Sequence, residues 1–448
     1  MHQYEFLDIA ATAVQRARKL GGDEVEAFLS FARELLVEVR DGAVETLKQA
    51  EDRGLGVRVI AGGRLGFAFT TDLSAGGLAE ATGQAVENAR QAAPDGYQRL
   101  PDPAGDYPQL ELEDPLIRTT PIEEKIELAR RMEEAARAAD RRVRIIETAT
   151  YQDSETEVTV VNSRGLVATT RVTRCGLYVA LVAGSGEEAY TGFALDYRLR
   201  YADLDPEALG REAAARAVCM LGAKPVGTRR VPVVLDPYVA ASFLGVLAPA
   251  FSAEAVQKGR SLFAGRLGQT VAAAGVTVID DGALEGGVAS GPFDGEGVPT
   301  RRKVLIDNGR LAGFLYHTYS AARDRVDSTG NAVRASFKSI PEVGTTNFYL
   351  EPGPYSPEEL MADLQEGFYL TDVIGMHTAN PISGDFSLGA AGLWISGGQP
   401  ARPVRGVAVA GNLMELLRDV EGVGRDLRFF GNRGAPTVRV ARLTVSGR

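Results

Sequence analysis

The chain has little of what metal and disulfide chemistry use. It contains two cysteines in 448 residues, Cys175 and Cys219, far apart and without Cys-x-x-Cys spacing, so neither a disulfide framework nor a thiolate zinc site is indicated. Its three histidines, His2, His317 and His377, cannot form His-Glu-x-x-x-His in any register. No apolar run approaches the roughly 18 residues of a membrane span. Residues 1–20 interleave polar with apolar side chains where a signal peptide would need an apolar core. No Gly-Lys-Ser/Thr phosphate loop occurs, and no glycine cluster follows the strand, Gly-x-Gly-x-x-Gly, helix order of a dinucleotide site. The cytoplasm is the simplest location, with no membrane contact expected.

Positive charge is also short. With 49 Lys and Arg against 59 Asp and Glu, the formal net charge is -10, which argues against a surface that tracks phosphates, so no nucleic-acid partner is expected. What is present is core: 45% hydrophobic and 24% charged residues describe an ordinary folded protein. The length exceeds what a single core supports, so two or three domains are expected.

Residues 4–20 carry apolar side chains at helical intervals up to Gly21-Gly22. From Val25 to Thr70 the period falls to two, with Asp41-Gly42 and Gly62-Gly63 as turns, which predicts an antiparallel meander. Ser74 can cap a second helix reaching about Ala92, and a Pro-bearing stretch, Pro94 to Pro115, follows. The same order then recurs: a helix from Pro121 to about Ala139, strands at 142–152, 156–163, 166–183 and 188–197, and a helix opened by Asp205-Pro206. Two such units suggest an internal duplication.

Beyond Arg230 the texture changes to short strands between glycine turns, at Val276–Ile279, Val304–Ile306, Asn347–Leu350, Leu393–Ile395 and Val438–Val445. Helices are expected over 238–250, from Ser356 to Glu366, where Pro357 and Glu358-Glu359 resemble a helix start, and over Asn412–Asp419. The fold class is therefore α+β. It comprises two helix–antiparallel sheet–helix units, residues 1–108 and 115–222, followed by a β-rich, barrel-like domain over 229–448.

That last third carries a resemblance. Gly330-Asn331-Ala332-Val333-Arg334, Thr345-Thr346-Asn347-Phe348-Tyr349-Leu350-Glu351-Pro352-Gly353 and Asn380-Pro381-Ile382-Ser383-Gly384-Asp385-Phe386-Ser387 resemble the PmbA (TldE) branch of the TldD/PmbA family. So do Pro403-Val404-Arg405, Ala410-Gly411-Asn412-Leu413 and Val423-Gly424-Arg425-Asp426-Leu427. Arg53-Gly54-Leu55-Gly56-Val57-Arg58-Val59 and Gly62-Gly63-Arg64-Leu65-Gly66-Phe67-Ala68 extend the resemblance to the N-terminal region. It implies a dimer enclosing a peptide-sized cavity, and a division of labour. The TldD branch supplies zinc on a His-Glu-x-x-x-His helix with a later cysteine, and the PmbA branch partners it without those ligands.

The residues bear on that implication directly. Zinc hydrolysis needs about three protein ligands and an open position for water. Where the family's catalytic helix is expected, after Leu235-Asp236-Pro237, residues 240–250 are apolar but for Ser242, and the segment after Asp426 has no cysteine. No zinc or other cofactor is thus expected in this chain; zinc is expected in a TldD-like partner. The acidic stretch Asp280, Asp281, Glu285, Asp294, Glu296 can be read as turn-forming acids or as ligands of a hard cation. His377 lies near Asn380, Ser383 and Asp385 and can be structural, substrate-facing, a partner contact or a base, although no Gly-x-Ser-x-Gly elbow accompanies it. His317, beside Tyr316 and Tyr319, is expected to pack against aromatics or take a backbone hydrogen bond.

The leading reading is a metal-free, PmbA-like subunit that completes the peptide chamber of a TldD-like zinc protease, with Asn331, Arg334, His377, Asn380 and Asp385 facing short or unfolded peptides. Two others stand beside it: a self-sufficient hydrolase with an unrecognised site, and a homodimeric peptide binder without catalysis.

Overall fold

The computed structural model describes residues 3–185 and 188–447; His2 lies outside them. Helix α1 (Gln3–Lys19) buries Phe6, Ala10, Ala13, Val14 and Ala17 along one stripe. Strands β1 (Glu24–Arg40), β2 (Ala43–Ala61) and β3 (Arg64–Thr70) follow, then α2 (Ala75–Gln91), whose cap Ser74 accepts from the Gly77 amide. Next come α3 (Pro115–Thr119), α4 (Ile122–Ala139), β4 (Val143–Asn162), β5 (Val167–Ser185), β6 (Glu188–Arg198) and α5 (Pro206–Val218), capped by Asp205.

These six strands form one sheet in the order β3-β2-β1-β4-β5-β6. The order is palindromic. Each unit supplies a helix, three meandering strands and a second helix, and the units join where β1 pairs antiparallel with β4, from Glu26↔Asn162 to Val39↔Ala149. A shared packing detail supports the duplication: Gly66 on β3 and Gly192 on β6 lie under α2 and α5. A Cβ there would stand 2.1 Å from the Ala85 carbonyl oxygen and 2.4 Å from that of Ala213, so only glycine lets the helices approach. One face of the sheet is covered by helices, over cores that include Leu29, Val57 and Val86 in the first unit and Tyr151, Leu177 and Ala213 in the second.

The C-terminal region runs β7 (Arg229–Leu235), α6 (Pro237–Leu247), α7 (Ala253–Gln257), β8 (Val278–Asp281), β9 (Arg302–Asp307), β10 (Arg310–Leu311), α8 (Thr318–Asp324), β11 (Ala332–Val333), β12 (Glu342–Val343) and β13 (Asn347–Leu350). It ends with β14 (Glu366–Ile374), β15 (Asp385–Ser396), β16 (Gln399–Asn412), α9 (Leu413–Arg418), β17 (Val420–Val423), β18 (Arg428–Phe430), β19 (Arg433–Ala435) and β20 (Val438–Ser446). Strands β7, β14, β15, β16 and β20 close on themselves, because β16 pairs with β20 and β20 with β7. The mixed α+β class and the barrel match the sequence expectation. A second sheet, β10-β9-β8-β13-β19-β18, ends on β18.

The helix expected from Ser356 to Glu366 is not formed. Its start signature is real, since Ser356 Oγ accepts from the Glu359 amide at 3.2 Å and Glu359 accepts from the Ser356 amide at 2.6 Å. The segment nevertheless remains a series of turns. Leu360, Met361 and Leu364 are all buried, the last two against Val234 and Ile395, and the chain enters β14 at Glu366; packing overrides the local preference.

The seam between the halves holds buried charge. On β1, alternation sends Val25, Ala27 and Leu29 to the helix side and Glu26 and Phe28 to the other face, where the C-terminal region covers them. Arg58 on β2 reaches Glu26 at 2.7 Å and Glu296 at 2.8 Å. Arg334 pairs with the same Glu26, donates to the carbonyls of Gly295 and Ser339, and stacks 4.7 Å from the Phe28 ring. Burial alone would lower the Arg58 pKa, but the facing carboxylates outweigh it and raise it, so Arg58 stays charged. Removing one partner of such a cluster leaves an uncompensated buried charge. Arg58→Met is expected to cost about 3–5 kcal/mol of stability, measured by denaturant titration, whereas an exposed pair such as Arg229–Glu366 is expected to cost under about 1 kcal/mol when broken.

Candidate functional site

A cleft of about 630 Å³ separates the outer edge of β6 from two C-terminal segments, the loop 284–288 and residues 426–431, which include β18, with Ala208, Leu209 and Glu212 of α5 among its lining. Strands β6 and β18 each end their sheets, so among the described residues each has an edge with no neighbouring strand. They approach one another beside this cleft. Aromatic rings bridge the same gap: Phe193 of β6 meets Tyr238 of α6 at 5.0 Å, and Tyr238 meets Phe430 of β18 at 5.2 Å, both edge to face.

A chain of charges fixes the relation of α5 to α6. Arg428 contacts Glu212 at 2.5 Å, Arg216 contacts Glu212 at 3.0 Å and Asp236 at 3.5 Å, and Tyr369 donates to Asp236 at 3.1 Å. Asp236 in turn caps α6 through the Tyr238 amide. Burial would raise the Glu212 pKa, but the hydrogen bond from Arg428 and the charges of Arg428 and Arg216 prevail and lower it. Burial raises the Asp372 carboxyl on β14 and, together with Asp236, the Tyr369 hydroxyl.

Helix α6 is the element on which the resemblance would place metal ligands. Its Ala240, Phe243, Leu244 and Leu247 face an apolar cavity of about 40 Å³ beside Leu413, Leu416 and Leu417. Its half-buried face shows Tyr238, Ser242, Gly245 and Val246. The Ser242 hydroxyl is satisfied by the Tyr238 carbonyl at 2.8 Å. Neither face presents a side chain that binds zinc, and among the described residues no three His, Cys, Asp or Glu side chains converge as a metal site would need. The donor set therefore does not fit the family's zinc.

The acidic stretch divides its oxygens among protein donors. Asp280 takes Lys303 at 3.0 Å, Asn331 at 2.8 Å and the Thr346 amide; Asp281 and Asp294 close turns onto the amides of Ala283, Glu296 and Val298. Burial and the neighbouring Glu296 push the Asp294 carboxyl upward, while Glu285 lines the cleft. His317 packs edge-on to Tyr319, accepts from the Ser320 amide and meets Glu254 at 3.1 Å.

The five residues singled out in the sequence fall in two places. Asn331 and Arg334 are buried at the seam, Asn331 bonding Asp280, Gly344 and Lys303, so both side chains are already used inside the protein rather than open to solvent. His377, Asn380 and Asp385 come together, exposed, on the β14–β15 connection. Asn380 closes a turn onto the amides of Ile382 and Ser383, and Asp385 accepts from Asn412 at 2.8 Å. The turn holding His377 packs against α6, and Ile374 and Ile382 beside it are 69% and 53% exposed. Sequence reasoning missed Phe193, Tyr238, Glu212 and Arg428; the polar Tyr238 opening an apolar helix was the available signal.

Comparison with known proteins places these features in a family. Three domain descriptions match in order: PmbA/TldA metallopeptidase domain 1 over 25–92, the central domain over 115–221 and the C-terminal domain over 228–447. The chain is 29% identical to a protein named metalloprotease PmbA from Escherichia coli O157:H7, covering 99% of this chain and 97% of that one. It is 31% identical to a metalloprotease of Methanothermobacter thermautotrophicus, covering 91% and 92%. The crystal structure of TldE from Thermococcus kodakarensis superposes with a TM-score of 0.89 at 25% identity, over 98% of this chain and all of that one.

The lowered Glu212 carboxyl has a pH consequence. A group whose pKa is lower folded than unfolded contributes stability above its unfolded value of 4.5, and that contribution is lost as pH falls through the folded value. Glu212→Gln is expected to lower the Tm at pH 7, with the gap from the parent narrowing as pH falls below about 4.5; thermal melts across pH 3–7 measure it.

Proposed function

The chain belongs to the PmbA/TldD metallopeptidase family, and on that premise we propose that it is the metal-free subunit of a peptidase, shaping the chamber in which a TldD-like zinc partner cuts short or unfolded peptides. The observation that carries this reading is α6, which stands where catalytic ligands are expected and offers none on either face. Zinc and its bound water then come from a partner bearing His-Glu-x-x-x-His, and this chain binds and orients the substrate. The unpaired edges of β6 and β18 suit that task, because an extended peptide can add to a sheet edge through main-chain hydrogen bonds with little demand on its sequence. His377, Asn380 and Asp385, beside the exposed Ile374 and Ile382, would contact the substrate or the partner. Among the described residues no helix is long and apolar enough to cross a membrane.

Cleavage of an unfolded casein substrate by the lone chain, and by the chain co-purified with a His-Glu-x-x-x-His relative, tests the assignment. Hydrolysis by the pair alone, abolished by a chelator, is the expected result. Turnover by the lone chain that disappears in His377→Ala would instead establish a self-sufficient site.

A further inference from the structure

The helix-free face of the six-stranded sheet is covered only in part. Glu26 and Phe28 are sealed by the C-terminal region. Farther along β1, Leu36 joins Lys48, Gln152, Ser154, Arg174 and Tyr197 around an open cavity of about 320 Å³. Register explains the grouping: Lys48 opposes Leu36, Leu36 opposes Gln152, and Ser154 opposes Arg174 in the next row. Alternation on β5 sends Cys175 and Leu177 into the helix-side core and turns Arg174 to the open face.

Arg174 is an unusual cation for this protein. Its Nε donates to the Val288 carbonyl at 2.5 Å, and no carboxylate of the described residues pairs with its guanidinium. Burial pushes its pKa down without an opposing acid. The nearby Lys48 ammonium and Ser154 hydroxyl also lack hydrogen-bond partners among the described residues. Tyr197 is fixed across the sheet by a 2.7 Å hydrogen bond from Gln152. Glu34 stands on the rim and Asp153 in the lining, but Asp153 is already paired with Lys125 at 2.5 Å, so Lys48 and Arg174 against Glu34 leave about one positive charge without a partner. That balance suits a monovalent, planar carboxylate better than a phosphate, and the guanidinium fork matches a carboxylate's geometry.

Tyr197 also lines the β6 cleft, so the cationic cavity continues the surface assigned above to the peptide. We propose that this cavity receives the C-terminal carboxylate of a short peptide, held by the Arg174 guanidinium with Lys48 and Ser154 as further donors. The proposal rests on the peptide-chamber reading and deepens it: selection would favour short peptides with a free C-terminus over internal segments of long chains.

Fluorescence anisotropy with the full chain tests this, using a labelled octapeptide of Gly, Ser and Ala in three forms: free acid, C-terminal amide, and an amide with Glu at the last position. The free acid is expected to bind about tenfold more tightly than either amide. Arg174→Gln is expected to remove that preference, and Arg174→Lys, which also loses the Val288 bond but keeps the charge, to retain part of it. Equal binding of acid and plain amide overturns the carboxylate assignment while leaving the chamber reading in place. Equal binding of the acid and the Glu amide overturns recognition of the terminus, and a preference that persists in Arg174→Gln overturns the role of Arg174. Failure of all three peptides to bind overturns the carboxylate site, whereas the chamber reading is overturned by the cleavage test of the co-purified pair described above.

Discussion

The buried ionic cluster of Glu26, Arg58, Glu296 and Arg334 is the constraint on which the rest of the molecule depends. It joins the first two strands of the N-terminal sheet to two separate C-terminal loops. Charges taken out of water in this way cost several kcal/mol each unless paired, so the cluster tolerates few arrangements of the two halves. The Arg428–Glu212 and Arg174–Val288 contacts link them farther along. Between these fixed points the free edge of β6 faces the C-terminal loops, and the cleft takes its shape from the separation the contacts impose.

The palindromic sheet has a functional consequence. By joining two similar units through β1 and β4, the chain builds a wide surface with helices on one side only. The opposite face is then available for other uses. Part of it seals against the C-terminal region through Phe28, Phe293 and Phe337; the remainder stays open and carries polar side chains. The barrel contributes α6, whose inner face is committed to an apolar core. Histidine or glutamate on that inner face would meet leucine and phenylalanine without hydrogen-bond partners, a costly placement.

Much of the architecture was legible in the sequence, because helices announce themselves through caps and periodicity. Ser74, Asp205 and Asn412 all cap the helices expected of them. The pairing of β1 with β4 was not legible, since it joins residues more than a hundred positions apart. The long barrel strands β15 and β16 were hidden by internal residues such as Gly389, Gly392, Pro400 and Pro403, which break the alternating pattern. At the site, the apolar character of α6 and the want of metal ligands could be read directly. Asn331 and Arg334 could not be placed by residue type, because a polar side chain looks the same whether its partner is a substrate or a buried carboxylate. The cleft itself draws residues from four separate stretches, and only the fold brings them together.

The central claim is that this chain contains no zinc site of its own. Metal analysis of the full chain, produced alone in zinc-supplemented medium and dialysed against zinc-free buffer, tests it most directly. The account predicts far less than one zinc per chain; about one tightly retained zinc per chain would contradict it.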